Sequence, residues 1–344
     1  MVKITERENL LRVLHGQEPA WIPRFGIVPI EAESEKHPPA SQMAQPEILA
    51  GTPLPNGGRI DIFGVEFEPT DSTGGQALPK PGQFILDDIR KWRDIIKVPS
   101  LEGIDWKAMA QKATEKIDRR ETAVSFGGGG GYFQLITNFM GFTEGMCALY
   151  EEPEEVLELF EYLATFYETI TTNMVDYINP DLWSLGDDNA TARSPFISLE
   201  MYRKLFKPFQ TRACKPAIDR GLPINMHDCG RCEDFIEDWR DFNVSCWNPA
   251  QVSNDLVGIK KKYGNSLVLV GCWDSQGPAG WPEAPEELVR QAVRDCIDTY
   301  APGGGFCFWG SVYGPKDDQA VRDHAFWVSD EYNKYGRTFY QRHG

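Results

Sequence analysis

The chain has 344 residues, of which 41% are hydrophobic, so it can bury a core the size of one large barrel or of two ordinary domains. The 51 Asp and Glu outnumber the 35 Lys and Arg, and a formal charge of −16 argues against a phosphate-binding surface and therefore against a nucleic-acid partner. No apolar run approaches the roughly 20 residues of a membrane span, and neither the amino terminus nor the eight scattered cysteines suit a secreted protein, so we expect a cytoplasmic protein without a membrane partner.

The first 120 residues are predicted to form an amino-terminal elaboration that contains the first strands. A capping box at residues 5–8 predicts a short helix that ends near Gly16. Residues 21–30 and 60–68 have the composition of short extended segments, between turns rich in proline and glycine. Residues 31–58 are predicted to form a long irregular loop.

The second part of the chain alternates short apolar runs with amphipathic stretches. The apolar runs predict strands at residues 123–126, 182–185, 223–226, 244–247, 267–270 and 306–309. The amphipathic stretches predict helices at residues 154–177, 199–219, 253–263, 286–299 and 317–335. Strands that alternate with helices imply a parallel sheet. With one or two strands from the first part, the best prediction is an α/β fold with a single (β/α)8 TIM barrel over residues 1–344, its main repeats at 121–344; a doubly wound open sheet is the alternative.

His227 and Cys229 follow the predicted strand that ends at Met226. In an extended backbone, side chains two positions apart point to the same face, so an imidazole and a thiolate can converge on one metal ion. This pair is half of a zinc site. The alternative is that His227 is a hydrogen-bonded histidine at a strand end and that Cys229 is a small buried hydrophobic residue.

Further candidate residues follow other predicted strands. Cys272 and Cys307 lie in or after hydrophobic runs and could supply a third ligand, which would leave one coordination position open for a reactant. Asp187 and Asp188 follow the strand at 182–185, where they could donate a proton, orient His227 or cap a helix. Aromatic residues near the same end of the barrel are predicted to bind a flat apolar ring: Tyr132, Phe133, Trp247, Trp273, Trp309 and Tyr313.

Several of these segments resemble a known family. The motif Gly186-Asp187-Asp188, residues 196–202, the pair Pro208-Phe209 and residues 221–224 leading to His227 are similar in order and spacing to the uroporphyrinogen decarboxylase superfamily. The resemblance covers roughly residues 120–340, with a weaker similarity at residues 5–23. Members of this superfamily fold as (β/α)8 barrels. The decarboxylases proper bind porphyrin carboxylates with an arginine-rich segment, whereas residues 24–35 of this chain are largely acidic after Arg24.

The His-x-Cys-Gly element at His227 resembles the zinc-dependent methyltransferase branch of that superfamily. Members of this branch exchange methyl groups with a corrinoid carried on a partner protein, so the resemblance implies zinc, a corrinoid and a corrinoid-binding protein. In the thiol methyltransferases the third ligand belongs to a Gly-Cys pair, whose place is taken here by Gly310-Ser311. We expect Cys272 to be the third ligand instead, because Cys307 would lie about 13 Å below Ser311 along an extended strand.

The expected activity is O-demethylation, in which a methyl group moves from a methoxylated aromatic compound to the cobalt(I) corrinoid of the partner. The density of aromatic residues and the missing Gly-Cys pair favour this direction. The alternatives are a methylcobamide:thiol methyltransferase and a decarboxylase of the uroporphyrinogen type that needs no metal. Residues 127–131 are all glycine and are interpreted as room for the corrinoid, with Tyr132 and Asn138 beside it.

Overall fold

The computed structural model describes residues 4–25, 37–70, 77–129, 131–315 and 317–343. The strands in chain order are β1 (Ser41–Met43), β2 (Thr52–Pro53), β3 (Arg59–Ile60), β4 (Glu66–Pro69), β5 (Ala77–Pro79), β6 (Ala123–Phe126), β7 (Leu182–Gly186), β8 (Ile224–His227), β9 (Val244–Ala250), β10 (Val268–Cys272) and β11 (Phe306–Trp309). All six strands predicted after residue 120 are confirmed.

The helices in chain order are α1 (Glu6–Leu14), α2 (Trp92–Ile95), α3 (Trp106–Thr114), α4 (Tyr132–Met140), α5 (Phe142–Glu151), α6 (Pro153–Ile178), α7 (Leu199–Met201), α8 (Lys207–Ile218), α9 (Ile236–Arg240), α10 (Leu256–Tyr263), α11 (Glu286–Tyr300), α12 (Gln319–Tyr335) and α13 (Phe339–His343). A π-helical turn at Tyr202–Phe206 joins α7 to α8, so the helix predicted at 199–219 is present but irregular. None of the helices in the described ranges is both long and apolar enough to cross a membrane.

Seven of the strands form one parallel sheet in the order β1-β6-β7-β8-β9-β10-β11. The spatial order follows the chain order without a reversal, whereas a doubly wound sheet requires a switch point. Beside β11, the backbone N–H of Phe25 donates to Phe308 O at 3.0 Å, and the N–H of Phe308 donates to Pro23 O at 2.9 Å. The chain therefore has an α/β fold around a curled parallel sheet, and the doubly wound alternative is wrong.

The curl of the sheet is visible in the packing of its inner face. Small and apolar inward-facing residues from β6 to β11 form one buried cluster, and α1 covers it with Leu10, Val13 and Leu14. A flat sheet could not bring side chains from its whole width into one cluster. The members contributed by the strands are Ala123, Leu182, Cys246, Val268, Val270 and Cys307. Helix α1 thus closes the amino-terminal end of the sheet, as in a barrel.

The first part of the chain differs from its prediction in several places. The capping box of α1 is confirmed, since the Thr5 hydroxyl accepts from the Glu8 N–H and the Glu8 carboxylate accepts from the Thr5 N–H. The prediction of an irregular loop over residues 31–58 is wrong where β1 and β2 lie, and its residues 31–36 lie outside the described ranges, as do 26–30. Strand β1 has the sequence Ser-Gln-Met, so no apolar run marks it.

Residues 60–68 form part of a second, smaller sheet, in which β2, β3, β4 and β5 pair in antiparallel order. Helices α4 and α5 were not predicted. The segment that forms α4, Tyr-Phe-Gln-Leu-Ile-Thr-Asn-Phe-Met, carries its polar residues Gln134, Thr137 and Asn138 at helical spacing, so the sequence held a signal for this helix that the prediction did not use. This helix begins directly after the glycine run and directs the chain away from the rim of the sheet.

Candidate metal centre

Three potential ligands meet at the carboxyl end of the sheet, where β7 and β8 lie side by side. Gly186 pairs with His227 in the register of these strands, so the residues that follow them lie at the same level. The Nε2 atom of His227 is 3.8 Å from the Sγ atom of Cys229 and 3.7 Å from the Oδ1 atom of Asp188. The structure therefore brings His227 and Cys229 together, with Asp188 as a third donor.

The spacing of these atoms suits a small divalent cation. One ligand atom from each of the three side chains lies within 4.8 Å of the other two, and no other such group occurs among the residues that the structure describes. Around a tetrahedral zinc ion, with Zn–N of about 2.0 Å and Zn–S of about 2.3 Å, ligand atoms lie roughly 3.5 Å apart. The nitrogen, sulfur and oxygen donors present here fit that arrangement with small movements.

Hydrogen bonds fix the loop that carries Cys229. The backbone N–H of Cys229 donates to Asp188 Oδ1 at 3.0 Å. The buried Asn254 side chain stabilises the turn at residues 230–232. Its Nδ2 donates to Gly230 O at 2.9 Å, and its Oδ1 accepts from the Cys232 N–H at 2.8 Å. The thiol of Cys229 is therefore held in place by the fold before any ion binds.

Gly230 is required by the shape of this loop. Its φ angle is +93°, a left-handed conformation that residues with a side chain rarely adopt. A Cβ atom at this position would lie 2.6 Å from Thr191 O and 2.7 Å from Ala190 O. The glycine of the His-x-Cys-Gly element thus allows the loop to turn tightly against the segment that follows β7.

Asp187 and Asp188 have different roles. Asp187 is fully buried and accepts the backbone N–H groups of Phe133 and Gln134, each at 3.1 Å, in the first turn of α4. Burial raises the pKa of Asp187 to about 7. Of the three roles considered for this pair, the contacts of Asp187 fit helix capping. Asp188 instead faces His227 and also accepts from Gln134 Nε2 at 2.5 Å.

The surroundings of the two candidate ligands, His227 and Cys229, shift the pKa values of their side chains. Burial lowers the pKa of His227, which favours the neutral imidazole that can bind a metal. Burial, together with the nearby Asp188 carboxylate, raises the pKa of the Cys229 thiol above its usual range. A bound cation would reverse this effect, because a thiol that coordinates a metal ion releases its proton to the solvent and binds as the thiolate.

The structure does not bring Cys272 to this cluster. In a regular strand Cys272 would face inward with Val268 and Val270, but the φ angles of +107° at Gly271 and +55° at Cys272 turn the chain. Cys272 is buried in the cluster that packs the sheet against its helices, where its carbonyl oxygen accepts from Cys296 Sγ at 3.4 Å. The prediction assumed that side chains alternate regularly along β10, and the two left-handed residues at its end break that alternation and turn the Cys272 thiol away from the inner face.

Cys307 faces inward but lies at the wrong level. It pairs with Val270 in the register of β10 and β11 and belongs to the apolar cluster covered by α1. The residue of β11 nearest the rim is Trp309, whose ring centroid lies 6.4 Å from that of His227. Of the predicted aromatic residues, Trp309 is thus the one that the structure places beside the candidate ligands.

A cavity of about 710 Å³ opens beside His227. Its aromatic and aliphatic walls come mainly from Phe25, Met43, Leu49, Leu135 and Tyr167, and Asn138 also lines it as expected. A volume of this size is typical of sites for small organic ligands.

The glycine run borders this cavity at residues 127–129 and 131, while residue 130 lies outside the described ranges. A Cβ atom on Gly127 would lie 1.8 Å from Ser184 O, and one on Gly129 would lie 2.6 Å from the Tyr167 ring. The glycines therefore allow the loop to pack directly on β7 and α6. This close packing explains the run without invoking room for a large cofactor.

None of the six predicted aromatic residues lines the cavity, Trp309 included. Tyr132 and Phe133 are buried in α4, where Tyr132 packs against Phe160 and Phe209 and Phe133 stacks on Phe196. Three more lie elsewhere: buried Trp247 donates to Asp228 O at 3.1 Å, Trp273 donates to Ser311 O at 3.0 Å, and Tyr313 is 46% exposed. Four of these residues, Tyr132, Phe133, Trp247 and Trp273, therefore pack in the hydrophobic core and do not contact the cavity.

Sequence reasoning missed a layer of polar residues below His227. Ser125, Ser184, Asn225 and Asn248 come from the four adjacent strands β6 to β9, and all of them line the cavity. A signal was present, because each is a polar residue in a strand that is otherwise mostly apolar. Such residues are costly in a core unless they are hydrogen-bonded, so they indicate a ligand site.

The chain matches the family model described as "Uroporphyrinogen decarboxylase (URO-D)" over residues 61–309. It is similar in structure to a methyltransferase from Methanosarcina mazei, with a TM-score of 0.59 and 12% sequence identity over 96% of this chain and 100% of that one. A weaker similarity, to an AP endonuclease of family 2 from Brucella melitensis, has a TM-score of 0.33 and 9% identity over 69% of this chain and 86% of that one. No curated protein sequence matches the chain.

Proposed function

The chain belongs to the uroporphyrinogen decarboxylase family, and from this premise we propose that it is a zinc-dependent methyltransferase of the corrinoid branch. It takes a methyl group from a methoxylated aromatic compound and transfers it to the cobalt(I) corrinoid of a partner protein. The observation that carries this proposal is the group of His227 Nε2, Cys229 Sγ and an Asp188 carboxylate oxygen within 4.8 Å of one another beside a cavity. The structural similarity to a methyltransferase supports the fold that this activity requires.

The proposed zinc site uses Asp188 in place of Cys272. A neutral imidazole, a thiolate and a carboxylate would balance the two positive charges of the ion and leave one coordination position open. When bound, the ion supplies Lewis-acid stabilisation of the ether oxygen, which must leave as a phenolate. In this proposal Asp188 is a metal ligand. It is not the proton donor that the sequence analysis considered.

The chain itself holds the substrate. Phe25, Tyr167 and the neighbouring aliphatic residues form an apolar wall for an aromatic ring, and the polar layer below His227 limits how deep the ring can enter. In the transfer, the bond between oxygen and the methyl carbon breaks, and the methyl carbon bonds to cobalt. The electron pair stays on the aryl oxygen, which takes a proton from water.

The cavity is a poor site for a porphyrin. None of its lining residues within the described ranges is Lys or Arg, so the carboxylates of a uroporphyrinogen would have no cationic partner there. This observation disfavours the metal-free decarboxylase.

The complete (β/α)8 barrel remains a prediction that the fold supports. We propose that residues 23–25, which are hydrogen-bonded to β11, occupy the position of the eighth strand. Phe25 lines the same cavity as Ser41 of β1, from the opposite edge of the sheet, as closure of a barrel requires. The chain would then be a single barrel domain with residues 1–120 as its elaboration.

Two anaerobic assays test the proposed function. The first measures zinc per chain, with an expected value near one, after loading and dialysis. The second adds a methoxyarene and a cobalt(I) corrinoid protein, or a thiol and a methylcobalt(III) corrinoid protein, and follows the cobalt absorption spectrum. Oxidation of cobalt(I) to methylcobalt(III) with the methoxyarene alone supports the proposal. Change only in the thiol assay would identify the thiol methyltransferase instead, and a chain that retains no zinc would contradict both.

A further inference from the structure

The floor of the cavity carries the polar layer of Ser125, Ser184, Asn225 and Asn248. Ser184 and Asn225 are partners in the register of β7 and β8, and Ser184 Oγ donates to Ser125 Oγ at 3.3 Å. The next inward residues toward the amino-terminal end are apolar, as in Leu182 of β7. The layer therefore lies at the floor of the cavity, between an apolar plug and the candidate metal ligands.

Asn225 is the unusual member of this layer. It is 3% exposed, and its Nδ2 donates to Asn248 Oδ1 at 2.9 Å. Its own Oδ1 atom is buried and has no hydrogen-bond partner among the residues that the structure describes. A buried acceptor without a partner destabilises a protein, so its retention in a ligand cavity indicates that a ligand satisfies it.

We propose that Asn225 is a specificity-determining residue whose Oδ1 accepts a hydrogen bond from a hydroxyl group of the substrate. A hydroxyl both donates and accepts, so it can donate to Asn225 Oδ1 while accepting from the amide nitrogen of Asn248. An ammonium group can only donate, and an ether can only accept. This inference rests on the proposed function for the methoxy group, and it narrows the substrate to a methoxyphenol.

The position of Asn225 also sets where the hydroxyl lies. Asn225 and His227 are two residues apart on β8 and face the same side, so their Cα atoms are separated by about 6.6 Å along the strand. A rigid ring is therefore needed to join a methoxy group at the ligand cluster to a hydroxyl at the floor. A hydroxyl on the opposite side of the ring from the methoxy group fits this separation best.

The substrate is also expected to be neutral. No Lys or Arg belongs to the described residues that line the cavity, and the Asp188 carboxylate lies at its rim beside His227. A ring with a carboxylate in place of the hydroxyl would face the Asn225 oxygen with another acceptor and would find no cationic partner.

The test uses the zinc-loaded chain without corrinoid and measures binding by calorimetry. The probes are 4-methoxyphenol, methoxybenzene and 4-methoxybenzoate. We expect 4-methoxyphenol to bind roughly 10-fold more tightly than methoxybenzene, and 4-methoxybenzoate to bind more weakly than 4-methoxyphenol. Equal affinities for the first two probes, or tightest binding of the benzoate, would overturn the inference.

Two variants and a control locate the effect. N225L removes the acceptor with little change in size, so its preference for the phenol over methoxybenzene should fall to about one. N225D keeps an acceptor and should keep the preference. A preference that is lost in N225L but kept in N225D is therefore due to the missing acceptor and not to any change at this position. The control N173L replaces an exposed asparagine of α6 and should bind all three probes like the unsubstituted chain. A preference that persists in N225L would contradict the role of Asn225.

The same probes separate this inference from the proposed function. If 4-methoxyphenol binds through Asn225 but never methylates the corrinoid, the proposed methyl transfer fails and the hydroxyl site stands. If methoxybenzene is demethylated as well as 4-methoxyphenol, methyl transfer stands and the hydroxyl site fails.

Discussion

The two ends of the parallel sheet are built for different purposes. At the amino-terminal end, α1 presses Leu10, Val13 and Leu14 onto small and apolar inward residues, and the interior is closed. At the carboxyl end, His227, Cys229 and Asp188 converge beside an open cavity. The comparison teaches that one end stabilises the fold and the other is free for chemistry, which is the division seen in barrel enzymes.

Removing a proposed ligand should have the largest effect and should spare the fold. We expect H227A or C229A to lose bound zinc and to reduce methyl transfer by on the order of 10²- to 10³-fold or more, because stabilisation of the leaving oxygen is lost. Zinc analysis and the cobalt spectrum measure the effect. Since both side chains are only partly buried, the melting temperature of the metal-free protein should change by a few degrees at most. Unchanged zinc content in C229A would disprove the proposed site.

A substitution at the other end should show the reverse pattern. L10A removes a fully buried side chain from α1 and should lower the free energy of unfolding by about 2–5 kcal/mol, measured by urea denaturation. Zinc bound per folded chain should stay the same, because Leu10 does not belong to the ligand cluster. Loss of zinc from folded L10A would show that the two ends are coupled.

A substitution of Asp188 tests whether its carboxylate is a ligand of the zinc ion. D188N keeps the shape of the side chain but removes its charge, so we expect zinc affinity to fall by at least roughly 10- to 100-fold, the loss that is typical when a residue that only orients a metal ligand is replaced. Competition with a coloured chelator gives the affinity. D187N is the matched control, since Asp187 caps α4 and should affect stability more than zinc binding. Equal zinc affinity in D188N and the unsubstituted chain would remove Asp188 from the site.

The smallest effects are expected at the two thiols proposed from the sequence as a third ligand. Neither C272A nor C307A should change zinc content, because one thiol lies on the helix-facing side of the sheet and the other lies in the apolar plug. Each should lower the free energy of unfolding by about 1 kcal/mol through lost packing. Loss of zinc in either variant would show that the substituted cysteine is a zinc ligand after all.

The sequence predicted the parallel sheet and the His227-Cys229 pair, because strand spacing and apolar runs are local properties that the structure preserves. It did not predict β1, whose three residues carry no apolar signal. It misplaced Cys272 because two left-handed residues interrupt the alternation of β10. It also gave no reason to choose Asp188 over the cysteines as the third ligand. The approach of Asp188 to His227 depends on the register of β7 against β8, which is a property of the tertiary structure.

The central claim is that one divalent ion is bound by nitrogen, sulfur and oxygen at the carboxyl end of the sheet. A zinc K-edge X-ray absorption spectrum of the anaerobically loaded chain tests it most directly. The account predicts one sulfur neighbour at about 2.3 Å and nitrogen or oxygen neighbours at about 2.0–2.1 Å, with the sulfur contribution lost in C229A. A spectrum with no sulfur neighbour, or with two that persist in C229A, would contradict it.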